Sequence, residues 1–242
     1  MSSESTGSDV VSVLSAGACK GLVQALAEQF AAETGADIDA QFGAVGAMRA
    51  ELEAGAVCDV VILTSRLIAE LVEEDVVVRD SVTSLGSVPT GIAVREGDAL
   101  PAIDNEDGLR QALLAATAIY VPDTARSTAG LHVADILVRL GIAEQASAKL
   151  AEYPNGAAAM RALADSGEEG AIGCTQVTEI KYTEGVRLVG LLPAAFGLST
   201  EYALGICRDA PEPELAEALA DLLTSRVAED LRRAGGFELP DT

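Results

Sequence analysis

Apolar residues fall along this chain in short blocks of two kinds, tight runs or alternations of strand length and longer stretches at helical spacing. Val11, Val13 and Leu14 make a short buried strand. After the turn Ser15-Ala16-Gly17-Ala18, Leu22, Val23, Leu26, Ala27 and Phe30 recur on one face of a helix. Thr34-Gly35 stops that helix, and Ile38, Ala40 and Phe42 alternate with polar residues as a second strand. Gly43-Ala44-Val45-Gly46 then enters a helix, Ala47 to Ala54, closed by Gly55. Asp59 to Leu63 is the continuous run expected of a parallel strand covered on both faces, and Thr64-Ser65 caps a helix from Arg66 to Glu74. Right-handed crossovers in such a βαβαβα unit place all three strand-to-helix turns at one carboxyl edge of the sheet.

The rhythm changes at Leu85 to Pro89. Thr90 to Val94 reads as a strand, Asn105 opens a helix to about Ala116, and Ala118 to Val121 is another buried strand. It leads through the hydroxyl-rich loop Pro122 to Gly130 into a helix ending at Leu140. Gly141 terminates that helix and Ala143 starts the next; Asn155 is placed as the N-cap of Gly156 to Asp165. Ala171 to Cys174 is a strand followed by Thr175-Gln176 and a short helical turn. Val186 to Leu191 is a further strand, and Tyr202 to Cys207 brings the chain back to closing helices Pro213 to Thr224 and Arg226 to Ala234. The expected architecture is therefore α/β in two lobes, residues 1–87 with 201–242 forming one and 88–200 inserted as the other.

Composition narrows the function classes. Of 242 residues, 49% are apolar but only 3% aromatic, so the core is built from Ala, Val, Leu and Ile. A net charge of −22 repels nucleic acid and anionic membranes and suits solubility at high salt. No apolar run reaches the length of a membrane span. The opening MSSESTGSD is polar and acidic, so the chain as written is expected in the cytoplasm, or outside the membrane if a leader has been trimmed. Cys19, Cys58, Cys174 and Cys207 are scattered, with no CxxC pair and a single histidine, which argues against a zinc site and for buried thiols. GxxxxGK[ST] and GxSxG are absent, and GAVGAM fits the dinucleotide fingerprint poorly. No metal and no cofactor is expected.

The candidate chemistry lies in the turns. A small-residue turn that opens a helix leaves its first N–H groups unpaired at the positive end of the dipole, a site for an anion. The same turns also suit an ordinary strand–loop–helix with nothing bound. His132 lies in the second turn after Ser127-Thr128-Ala129-Gly130, where neutral imidazole can donate to a carboxylate or take a proton; a packed helix histidine is the alternative. Lys20 suits pairing with a carboxylate or a solvated helix face, and Arg126 a bidentate clamp or a surface loop. Thr175, Gln176 and Tyr202 lie at strand ends facing the expected cleft. Asp59 is placed at the opposite edge as a structural residue, and Asp123 as a turn former.

Six strings in order carry a resemblance that spans nearly the whole chain. They are LSAGACKGLVQALAEQF, QFGAVGAMRAELEAG, CDVVILTS, YVPDTARSTAGLHVADILVRLGI, GAIGCTQVTEI with VRLVGLLP, and YALGIC. Together they resemble the type II periplasmic substrate-binding proteins, in particular the molybdate-binding branch. The resemblance implies two α/β lobes with mixed sheets, joined by a two-stranded hinge and closing on an anion held by helix N-termini. Because each turn follows a strand and opens a helix, ligand contacts are expected from Ser15, Gly17, Ala18, Cys19 and Lys20, from Ala44, Val45 and Gly46, and from Thr64 and Ser65. In the second lobe they are expected from Arg126, Ser127, Thr128, Ala129 and Gly130, with Thr175, Gln176 and Tyr202. The partner so implied is a small anion, with a transporter as its destination. The branch's two ligand serines are replaced here, at Ala18 or its neighbour and at Val45. Two lost hydroxyl bonds at roughly 1 kcal/mol each remove one or two orders of magnitude in oxyanion affinity. The GAVG and STAGLH strings resemble a divergent subgroup instead, and aconitate isomerase, a cofactor-free enzyme, is similar to this class. The expected function is solute binding of a polycarboxylate or oxyanion; the alternative is isomerisation of an unsaturated acid with His132 as proton carrier.

Overall fold

The structure is a computed structural model that describes residues 9–240. The polar opening segment, on which the expectation about a leader rests, lies outside the described residues. In chain order the first part comprises β1 (Val10–Ala16), α1 (Lys20–Thr34), β2 (Asp37–Gly43), α2 (Val45–Glu53), β3 (Val60–Thr64), α3 (Ser65–Glu73) and β4 (Thr83–Arg95). There follow α4 (Glu106–Ala115), β5 (Ile119–Pro122), α5 (Thr128–Arg139), α6 (Ala143–Ser147), β6 (Leu150–Tyr153) and α7 (Gly156–Asp165). The chain ends with β7 (Ile172–Gln176), α8 (Val177–Lys181), β8 (Val186–Leu191), β9 (Ser199–Ile206), α9 (Pro213–Thr224) and α10 (Arg226–Gly235).

The nine strands form one mixed, path-connected sheet in the order β2-β1-β3-β9-β4-β7-β5-β6, with β8 also paired to β4. β1 runs parallel to β2 and β3, and β5 runs parallel to β6 and β7. β9 is antiparallel to both β3 and β4, and β4 is antiparallel to β7 and β8. Strands built almost wholly of apolar residues, such as β3 and β5, lie inside the sheet with helices packed on them. One core unites Val11, Val13, Leu22, Phe30, Leu204 and Leu219; another unites Ile92, Leu109, Val121, Val133 and Ile136. β4 belongs to both, contributing Leu85 and Val88 to the first and Ile92 and Val94 to the second. This is the two-lobed α/β architecture that the resemblance implies, with β4 and β9 running side by side where the two cores meet.

β7 runs on through Thr175 and Gln176, and β9 begins at Ser199 rather than Tyr202; three other elements differ more from what the sequence pattern suggests. The strand at Thr90 to Val94 is the far half of a single 13-residue strand. A register shift between Ser84 and Gly86, with Gly86 at φ 110, breaks its alternation and hides the near half. β1 continues through Ala16, and a 3-10 turn, Gly17–Cys19, separates it from α1. β6 has no counterpart in the pattern reading because its LAEY lies at the sheet edge and is only partly buried.

Candidate functional site

A narrow cavity lies between the lobes where several helices begin. From the first lobe come Ala16, Gly17 and Ala18 at the 3-10 turn, and Gly43, Ala44 and Val45 at the start of α2. Neither start has a side-chain cap, so the leading N–H groups there remain available to a ligand. The second lobe supplies Pro122, Ser127, Thr128 and Ala129 at the start of α5, and Asn155 and Gly156 at the start of α7. Ser127 Oγ accepts from Gly130 N at 2.8 Å, which leaves its hydroxyl hydrogen free to donate. Gln176, Glu179 and Tyr202 complete the wall. The lobes are closed on each other here: a Cβ on Gly17 would lie 3.7 Å from Asn155 Cβ, and one on Gly46 would lie 3.9 Å from the Arg126 carbonyl.

Glu179 is the one carboxyl in this wall, and it is buried. Its Oε2 accepts from Thr175 Oγ1 at 2.6 Å. Burial pushes its pKa up; the Thr175 hydroxyl and the N–H groups of Ala157, Gly156 and Gln176 oppose that shift without cancelling it. Gly156 is required for this approach, since a Cβ there would overlap Glu179 Oε2 and Thr175 Oγ1. Tyr202 donates its hydroxyl to Gln176 Oε1 at 2.8 Å across the lobes, and burial holds the phenol well above its ordinary pKa. No lysine or arginine lines the cavity, so attraction for an anion comes from helix dipoles, N–H groups and hydroxyls.

The structure brings Gly17, Ala18, Ala44, Val45, Ser127, Thr128, Ala129, Gln176 and Tyr202 of the expected residues to the cavity wall. It sets the others elsewhere. Ser15 is buried and turns its hydroxyl to the Ala16 carbonyl, 3.0 Å away. Cys19 is fully buried, and burial with the nearby Glu179 charge pushes its thiol pKa up, out of nucleophilic use. Burial likewise pushes the Cys174 thiol up to about 12. Thr64 caps α3 through Leu67 N at 3.4 Å, and Ser65 lies beside it. In register with Thr64, Tyr202 of β9 is the residue that reaches the wall. Arg126 is exposed, Gly46 and Gly130 lie one residue behind the lining, and Thr175 serves Glu179 rather than the open space. Lys20 lines a neighbouring groove.

His132 is not among the residues lining the cavity. Its Nε2 lies 2.7 Å from the Phe196 carbonyl, and because a carbonyl only accepts, that nitrogen carries the proton. The packed helix histidine is the arrangement found. Asp59 is buried and accepts from Ser12 N at 2.8 Å and Glu212 N at 2.7 Å, the structural role expected of it. Asp123 Oδ1 accepts from Ala125 N at 2.8 Å and Arg126 N at 3.0 Å, as a turn former does.

Pattern reading missed Glu179, Asn155 and Gly156 as site residues. Glu179 stands next to Ile180-Lys181 in a short helical turn and so reads as solvated. Thr175, near the end of β7, reaches the carboxyl only because the chain turns at Gln176 into the short helix α8. Asn155 and Gly156 were hidden because β6, the strand that feeds α7, was not recognised.

The family described as bacterial extracellular solute-binding protein matches residues 11–238. Aconitate isomerase from Pseudomonas sp is 30% identical over 224 residues, which is 90% of this chain and 83% of that protein. Among solved structures, the periplasmic molybdate-binding protein of Azotobacter vinelandii superposes with a TM-score of 0.77 at 19% identity, covering 96% of this chain and 100% of that one. The sulfate-binding protein SubI from Mycobacterium tuberculosis H37Rv gives 0.72 at 16% identity, covering 96% and 88%.

Proposed function

The chain belongs to the bacterial extracellular solute-binding protein family, and from that premise we propose that it binds a small carboxylic-acid anion between its lobes. The observation that carries this reading is the convergence of uncapped helix starts on a cavity without a cationic side chain. A planar carboxylate has two oxygens to satisfy, and the N–H groups at Gly17-Ala18 and Val45, with the Ser127 hydroxyl, are enough for it. A tetrahedral dianion asks for more donors, and Ala18 and Val45 offer no hydroxyl. Glu179 borders the same space, and burial pushes its pKa up, toward the neutral form that can donate a hydrogen bond to a ligand oxygen.

A thermal-shift panel tests this with citrate, both aconitates, molybdate, tungstate and sulfate. A ligand at 100 times its dissociation constant adds about 2.7 kcal/mol, which in a chain of this size raises the melting temperature by about 5–10 °C. Stabilisation by molybdate or sulfate but by no organic acid would refute the carboxylate reading.

Glu179 favours a second reading, a cofactor-independent isomerase of an unsaturated acid, and the likeness to aconitate isomerase supports it. In this reaction the Glu179 carboxylate removes a proton from an allylic carbon, and the electron pair delocalises over the adjoining C=C and carboxylate. The same carboxyl then returns a proton at the far end of the allylic system, so the double bond moves with no net redox change. Helix N-termini that hold the substrate carboxylate stabilise the charge that develops on it. An upward-shifted carboxyl is a stronger base than an ordinary one once it is ionised. Proton spectra of cis- or trans-aconitate incubated with the protein in heavy water report exchange and isomerisation together. Glu179→Gln is expected to slow both by about a hundred- to ten-thousand-fold, the usual range for general acid–base help. Binding with no exchange in the parent removes the enzyme reading and leaves the binding one.

A further inference from the structure

Beside the cavity, and sharing Gly17, Asn155 and Glu179 with it, lies a wider groove bordered by α1, α7 and α8. Lys20, at the start of α1, and Arg161, on α7, both line it. The chain carries 38 acidic residues, and seven arginines elsewhere are drawn into ion pairs with them. Among the described residues neither Lys20 nor Arg161 has a carboxylate partner; Lys20 Nζ lies 5.8 Å from the centre of the Phe42 ring, another lining residue. On so acidic a surface, two cations without ion pairs on one groove are available to an anion from outside.

A third group marks the same place. Thr178 lines the groove, its side chain is fully buried, and its Oγ1 has no hydrogen-bond partner. A buried hydroxyl left unpaired lowers stability, and a ligand oxygen that accepts from it removes that deficit.

We propose that this groove is a second anion subsite of the same ligand site, one that takes a distal carboxylate of a di- or tricarboxylic acid whose first carboxylate sits at the helix N-termini. The inference rests on the binding reading above and adds to it the residues that hold a distal carboxylate. Lys20 and Arg161 supply charge, Thr178 supplies a hydrogen bond, and Glu179 borders both spaces, beside the carbons that link the two carboxylates.

Calorimetric titration with propane-1,2,3-tricarboxylate and but-2-enoate tests it on the parent, on Lys20→Gln/Arg161→Gln and on Thr178→Val. The parent is expected to prefer the tricarboxylate. The double variant should lose about ten- to hundred-fold in affinity for it, with a smaller loss for but-2-enoate, so that the preference collapses. Thr178→Val should bind the tricarboxylate more weakly while melting at a higher temperature without ligand, because its unpaired hydroxyl is gone. Unchanged tricarboxylate affinity in the double variant, with binding by the parent intact, overturns the second subsite and leaves the binding reading standing. A parent that binds neither acid overturns both.

Discussion

Glu179→Gln asks whether the cavity holds a carboxyl that prefers to be neutral. Burial is the first cause of its upward shift, and four donors around it fail to offset that burial. A folded-state pKa above the unfolded value, near ~4.3, means that the folded protein keeps this proton longer than the unfolded chain does. The stability that Glu179 contributes is therefore full below about pH 4.3 and is lost as pH rises through the folded pKa. Between the two values the folded state holds one more proton, so the parent falls relative to the variant by at most about 1.4 kcal/mol per pH unit. Below both values the two states hold the proton equally and the difference no longer changes with pH. The amide introduced by the substitution keeps an oxygen for the Thr175 hydroxyl but turns an NH₂ toward backbone N–H groups, a conflict that costs about 1–3 kcal/mol. Urea denaturation of both proteins from pH 4 to 8 should show the parent ahead in acid, with its lead shrinking as the pH rises. A lead that stays constant would refute the raised pKa. A lead that grows would show the carboxylate to be stabilised by the helix starts, and the neutral-donor argument would fail with it.

Three further outcomes follow from the same geometry. Tyr202→Phe leaves the buried Gln176 oxygen without its 2.8 Å donor and should cost about 1–3 kcal/mol, read as a melting-temperature loss of about 2–4 °C per kcal/mol. An unchanged melting temperature would mean that another donor serves Gln176. Asp59→Ala removes the carboxylate that ties β1 to the entry of α9, and two charge-assisted bonds should together be worth about 3 kcal/mol or more in denaturant titration. Removal of ligand should open the lobes about β4 and β9, since these adjacent strands lie where the two cores meet; solution scattering should then show a larger radius of gyration for the free protein, and identical profiles would argue for a rigid closed form.

The fold was legible because its signals are periodic and local. Strand runs such as Val60 to Leu63 and helix faces such as Leu22, Val23, Leu26 and Phe30 declare themselves within a dozen residues. The helix starts at Gly17-Ala18, Ala44-Val45 and Ser127-Thr128 were legible for the same reason, each being a small-residue turn after a recognisable strand. What escaped depends on partners distant in sequence. β4 reads as a short strand until its bulge at Gly86 is seen against Tyr202, far along the chain on β9. β6 is an edge strand with one neighbour, so its residues never needed the apolar pattern that would have shown it.

His132 and Glu179 show where residue type misleads. An imidazole attracts attention in a sequence as a proton carrier, yet here its Nε2 donates to the Phe196 carbonyl and it is not among the residues lining the cavity. A glutamate titrates well below neutrality in water and attracts none. Its value arises only after folding, when burial raises the pKa while Thr175 and the start of α7 hold the carboxyl in place. The property that makes Glu179 a candidate acid or base is thus made by Gly156, whose missing Cβ lets the carboxyl settle against the helix start. Gly156→Ala should accordingly displace Glu179 without touching the N–H groups of Gly17, Ala18 and Val45. If the isomerase reading holds, that variant loses far more exchange in heavy water than affinity for the acid, a split that simple loss of folding cannot produce.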